Sequence, residues 1–87
     1  MKIYVGNLSY LITEDELIDT FSDFGEVKSV KLIHEQNSGK SKGFGFVEMP
    51  DQDGQDAIQA LDESPLNGRN IKVSKAKGRS VKRKQVN

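Results

Sequence analysis

Lys42-Gly43-Phe44-Gly45-Phe46-Val47-Glu48-Met49 is the stretch on which the fold turns. It reads as a β-strand, and side chains on a strand alternate between two faces. If Val47 and Met49 face a core, Gly43 and Gly45 face it too, and Lys42, Phe44, Phe46 and Glu48 face away. The opposite phase buries both rings, the ordinary fate of phenylalanine on a strand. It also buries Lys42 and Glu48, and a buried charge is expensive unless paired. Two glycines would then face water with no evident use, whereas facing the helices they permit close packing. The first phase is therefore the expected one, with the rings turned out.

Working outward, residues 2–8 give a short strand that ends at Gly6-Asn7, with Ile3 and Val5 inward and Lys2 and Tyr4 outward. Thr13-Glu14-Asp15-Glu16 has the capping-box form, and its three acids suit the positive end of a helix dipole. Ile12 and Leu17 have the spacing of a hydrophobic staple across that cap. Leu17, Phe21 and Phe24 recur at helical spacing, and Gly25 can close the helix. Residues 27–33 are rich in β-branched side chains and read as a strand, although Val27 is out of phase with Val30 and Leu32. Asn37-Ser38-Gly39 supplies a turn into the 42–49 strand. Pro50-Asp51 opens a weaker helix with Ala57, Ile58 and Leu61 as its stripe; Gly54 inside it costs up to ~1 kcal/mol relative to alanine. Leu66-Asn67-Gly68 is a turn, and residues 70–75 form a last strand with Ile71 and Val73 on one face and Lys72 and Ser74 on the other. The order βαββαβ is that of an α+β, ferredoxin-like fold: a four-stranded antiparallel sheet with two helices on one face. Residues 1–77 make the domain; residues 78–87 form a basic tail with no hydrophobic period, expected to be disordered when unbound.

Composition narrows the chemistry. The chain has 87 residues, no cysteine and one histidine, His34, which reads as an ordinary surface residue. Disulfides, thiolate metal sites, thiol nucleophiles and paired-imidazole sites are excluded. No cofactor is expected. No apolar run approaches the ~18 residues that span a membrane, and no signal peptide is legible, so a cytoplasmic monomer with no membrane partner is the expectation. The net charge is zero, but it is segregated. Residues 1–27 hold one base against six acids, residues 28–46 four bases against one acid, residues 47–63 six acids alone, and residues 64–87 eight bases alone. Charge sorted by segment can become charge sorted by face, and a partner feels the local field.

A sheet covered by helices on one side leaves the other bare. Tyr4, Phe44 and Phe46 would lie there with Lys2, Lys31, Ile33, Lys42, Lys72 and Ser74, while the acids of both helices would lie behind. Flat apolar faces bordered by negative charge are what single-stranded nucleic acid offers: bases stack on rings and phosphates meet lysines. Antiparallel pairing of Tyr4 with Phe46 would set Lys2 opposite Glu48. That pair would offset an acid repelling phosphate and leave a carboxylate able to accept a base amino group.

These residues resemble the RNA-recognition motif family. Residues 42–49 look like its octamer signature, Ile3-Tyr4-Val5-Gly6-Asn7-Leu8 looks like its hexamer signature, and the resemblance covers residues 2–76. Met49 departs from the usual aromatic, at a position facing the core. The resemblance implies a non-catalytic binder of single-stranded RNA, with single-stranded DNA bound more weakly. It implies the first and third strands side by side, base stacking on Tyr4 and Phe46, sugar packing on Phe44 and a phosphate contact from Lys42. It also points to Lys75, Ala76 and Lys77, where members bind through main chain and tail. The chain is most similar to short single-domain bacterial members with a brief basic tail. Two other functions are weighed. A protein-binding module of this fold would not need all three rings. A small acylphosphatase-like enzyme would need an arginine in the loop after the first strand, and residues 6–13 contain none.

Overall fold

The computed structural model describes residues 1–34 and 41–76, with Ser41 and Lys42 described at the backbone alone. The turn expected at residues 37–39, Lys77 and the tail at 78–87 lie outside the described residues. The elements are β1 (Lys2–Gly6), α1 (Glu14–Ser22), β2 (Ser29–His34), β3 (Ser41–Glu48), α2 (Asp51–Leu61), β4 (Pro65–Leu66), β5 (Arg69–Asn70) and β6 (Lys72–Lys75). Strands β2-β3-β1-β6 form an antiparallel sheet in that order, and β4 and β5 pair separately. The ferredoxin-like arrangement is the observed one.

The core forms between one sheet face and the two helices. Ile3, Val5, Leu32, Val47 and Val73 from the strands, with Met49 just past β3, pack with Leu17 and Phe21 of α1 and Ala57 of α2. Helix α1 begins as the capping box predicts: Glu16 N–H donates to Thr13 Oγ1 at 3.2 Å and Thr13 N–H to Glu16 Oε1 at 3.0 Å. Helix α2 lacks a side-chain cap at Pro50. Instead the Met1 amine stands 3.2 Å from Asp51 Oδ1 and donates to the Met49 carbonyl. Gly54 is where that strand end meets the helix, since a Cβ there would lie 2.5 Å from the Met1 sulfur and 3.3 Å from Ile3 Cδ1. Its propensity cost therefore secures a close approach.

Several boundaries move. β1 ends at Gly6 rather than at residue 8, because Asn7 takes a left-handed φ of 56°. β2 begins at Ser29, so Val27 precedes the strand and need not obey its alternation. Helix α1 ends at Ser22 with Asp23 as its C-cap, before Gly25. The strand expected at 70–75 starts at Lys72, because Asn70 belongs to the β4–β5 hairpin. Asn67 and Gly68 both have positive φ, 52° and 83°, the requirement of a tight two-residue hairpin turn.

Candidate nucleic-acid interface

The register settles which way the rings face. Tyr4 lies opposite Phe46 and Ile3 opposite Val47 across β1 and β3. Ile3, Val5, Val47 and Met49 are fully buried, whereas Tyr4, Phe44 and Phe46 are half-buried on the face without helices. The three rings support one another. Their centroids are 6.0 Å apart for Tyr4–Phe44, 6.0 Å for Tyr4–Phe46 and 6.2 Å for Phe44–Phe46, in tilted and edge-on geometries favoured by aromatic quadrupoles.

Two glycines make this surface possible. A Cβ on Gly6 would lie 2.7 Å from Tyr4 Cζ, so the tyrosine ring lies along the strand over a residue without a side chain. A Cβ on Gly45 would stand 2.4 Å from the Lys31 carbonyl oxygen of β2. The close approach that Gly45 permits is thus to the neighbouring strand rather than to the helices, next to the irregularity between Leu32 and His34.

Charged and polar groups surround the rings. Lys2 Nζ sits 5.5 Å from the Phe46 centroid, within cation–π range. Lys31 lies opposite Phe46 on β2 and is exposed, and Ile33, on the same face, is half-buried. Ser74 lies opposite Tyr4 on β6, and Lys72 opposite Gly6; both are exposed. Lys72 is engaged, its ammonium donating to Glu63, and that hydrogen bond, with the carboxylate's charge, raises its pKa above the ordinary lysine value. Lys75 lies opposite Ile3, which puts it in phase with the helix side at the end of β6, and it is exposed there. Ala76 N–H donates to the Lys2 carbonyl, continuing the pairing by one residue. Lys42 occupies the start of β3, and Lys77 lies outside the described residues.

Lys2 and Glu48 are directly opposite, as their spacing predicts, but no ion pair joins them. Lys2 leans over Phe46, and Glu48 Oε1 accepts a hydrogen bond from Ser29 Oγ at 3.2 Å. The pairing was legible and the contact was not, because an aromatic face and a hydroxyl compete for the two charges.

Sequence reading missed three contributors. Gly6 reads in sequence as a strand stop, although its two-residue offset from Tyr4 carries the signal. Ser29 shares the parity of Lys31, and nothing else in the sequence marks it. Arg69 donates from Nε to the Asn7 carbonyl at 3.2 Å and from Nη2 to Asn7 Oδ1 at 2.7 Å, while Asn7 Nδ2 donates to the Asn70 carbonyl at 2.7 Å. This cluster holds Asn7 in its left-handed conformation at the end of β1; nothing local in the sequence announces a contact across 62 positions.

The fold and its ring-bearing sheet face define a two-layer α+β domain with an exposed aromatic platform. The family model for the RNA recognition motif matches residues 3–72, and the chain belongs to that family. It is 49% identical over 83 residues to RbpE of Nostoc sp., named a putative RNA-binding protein, covering 94% of this chain and 84% of that one. It is 43% identical to the chloroplastic RNA-binding protein CP29B of Arabidopsis thaliana, of which it covers 29%. The crystal structure of RNA-binding protein PG1 superposes with a TM-score of 0.87 at 40% identity, over 91% of this chain and 96% of that one. The Rna15 domain solved with bound RNA (GU) superposes with a TM-score of 0.80 at 27% identity, over 93% and 87%.

Proposed function

We propose that the open sheet face binds single-stranded RNA without catalysing a reaction, as a monomer in the cytoplasm. One base stacks on Tyr4 and one on Phe46, Phe44 packs against the sugars between them, and Lys31 and Lys42 meet phosphate. The observation that carries this reading is the set of three mutually supported, half-buried rings on a helix-free face. The family membership supports it, as does the Rna15 neighbour solved with bound RNA. Stacking is worth ~1–3 kcal/mol per base, so two stacks and a few phosphate contacts correspond to micromolar-order affinity after the cost of association. Single-stranded DNA would use the same rings and bind more weakly, since it lacks 2′-hydroxyls.

Fluorescence anisotropy with short single-stranded RNAs tests this. Log affinity should fall as log salt rises, with a slope of roughly −0.7 per phosphate contacted. Phe46→Ala should weaken binding by ~1–3 kcal/mol while circular dichroism stays that of the folded chain. Unchanged binding in a folded Phe46→Ala variant would refute the role of the face.

A further inference from the structure

The platform carries a charged pair whose arrangement goes beyond stacking. Lys2 and Glu48 are cross-strand partners beside Phe46, and the two charges do not neutralise each other. The ammonium leans over the Phe46 ring at 5.5 Å. The carboxylate is held by Ser29, its strand partner on β2, through one oxygen at 3.2 Å. Glu48 is exposed and keeps unused acceptor capacity, since a carboxylate offers about four lone-pair sites and Ser29 takes one. A carboxylate on a phosphate-binding surface is a liability unless it does something else there.

Base edges differ in what they ask of such a pair. Guanine presents an acceptor, O6, beside two adjacent donors, N1–H and the N2 amino group. An ammonium next to a carboxylate complements that order, with the two guanine donors meeting the two carboxylate oxygens. Uracil flanks its single N3–H with two carbonyl oxygens, which a carboxylate repels. Cytosine and adenine each offer one amino donor beside a ring-nitrogen acceptor, so each satisfies the carboxylate once and then confronts it with a lone pair.

We propose that Glu48, positioned by Ser29 and assisted by Lys2, selects guanine for the nucleotide stacked on Phe46, with uracil the least favoured base. This rests on the RNA-binding reading above. The base arriving on Phe46 takes the ring face that Lys2 covers, so Lys2 moves from the ring to the O6 edge as guanine seats. Ser29 is a positioning residue: its hydroxyl fixes one carboxylate oxygen and so aims the other.

The test uses the full chain with uridine oligonucleotides carrying one central guanosine, cytidine, adenosine or no replacement, read by anisotropy. Wild type should prefer the guanosine oligonucleotide over all-uridine by about tenfold, the discrimination of a good bidentate contact. Glu48→Gln should cut that guanosine-to-uridine ratio to near one, because an amide both donates and accepts. Ser29→Ala should lower the ratio partway, an effect that a merely structural role would not produce. Phe46→Ala, by contrast, should weaken every oligonucleotide. A folded Glu48→Gln that keeps the wild-type ratio, or a wild type indifferent to the replaced base, overturns guanine selection and leaves RNA binding standing. If Glu48→Gln fails to fold, Ser29→Ala alone decides, and an unchanged ratio there overturns the proposal. Wild type that binds none of the oligonucleotides overturns both readings.

Discussion

Ile3 and Tyr4 are neighbours on β1, yet they live under different physics. Ile3 is 0% exposed beneath the helices, while Tyr4 is half-buried on the opposite face. Val47 and Phe46 repeat the contrast on β3. Inward side chains gain by leaving water; outward rings gain by leaning on one another at about van der Waals range. On the proposed reading, stability and binding fall to alternate residues of the same strands, and a substitution can address one without the other.

The largest effect should follow from breaking the inward side. Ile3→Ala removes a fully buried side chain and should cost ~2–5 kcal/mol, measured by urea denaturation. A small domain has ~5–15 kcal/mol in total, so this is a large share. Tyr4→Ala, one residue along, should cost less stability than Ile3→Ala and weaken RNA binding by ~1–3 kcal/mol. Equal losses of stability would mean that the two faces are not separate.

Next in size, Gly45→Ala attacks the joint between strands. Its Cβ would meet the Lys31 carbonyl at 2.4 Å, and backbone cannot yield as a side-chain tip can. Overpacking of this kind costs ~1–3 kcal/mol. Because Lys31 is also on the proposed binding face, binding by the folded fraction should weaken too, visible as a shallower salt dependence.

How much of this was legible varies with the range of the interaction. The alternation on β1 and β3, the capping box at Thr13 and the Asn67-Gly68 turn are local, and the sequence displays them. The Lys2–Glu48 register followed from pairing Tyr4 with Phe46. What Lys2 and Glu48 then touch depends on Phe46 and Ser29 competing for them, which pairing alone does not decide. Arg69 on Asn7 and Glu63 on Lys72 depend on how the β4–β5 hairpin folds beside β1 and β6, and no periodicity reports that. Gly6 was within reach: its parity with Tyr4 is as plain as that of Gly45 with Val47, but its position at a strand end suggested only a stop.

Gly6→Ala sharpens the comparison on the outward side. A Cβ would press on the Tyr4 ring and tilt it from the sheet, leaving the ring present but misplaced. Binding should fall by ~1 kcal/mol, less than for removing a stacking ring. The tyrosine fluorescence change on RNA binding should shrink with it. A full-sized fluorescence response in Gly6→Ala would mean the ring does not need its flat seat.

The smallest effect concerns which lysines on the outward face are free. Lys72 is in register with that face, but Glu63 holds its ammonium, and both side chains are more than half exposed. Exposed pairs of this sort add little to stability, so a phosphate can compete for Lys72 at only a small penalty. Glu63→Gln removes the competitor's charge and keeps its shape. RNA binding should tighten by less than about threefold at low salt and by nothing measurable at high salt, where screening has already weakened the pair. Stability should stay within ~0.5 kcal/mol of wild type. If binding does not tighten at low salt, Lys72 lies beyond the reach of the phosphate chain, and the outward face ends at β1 rather than extending to β6.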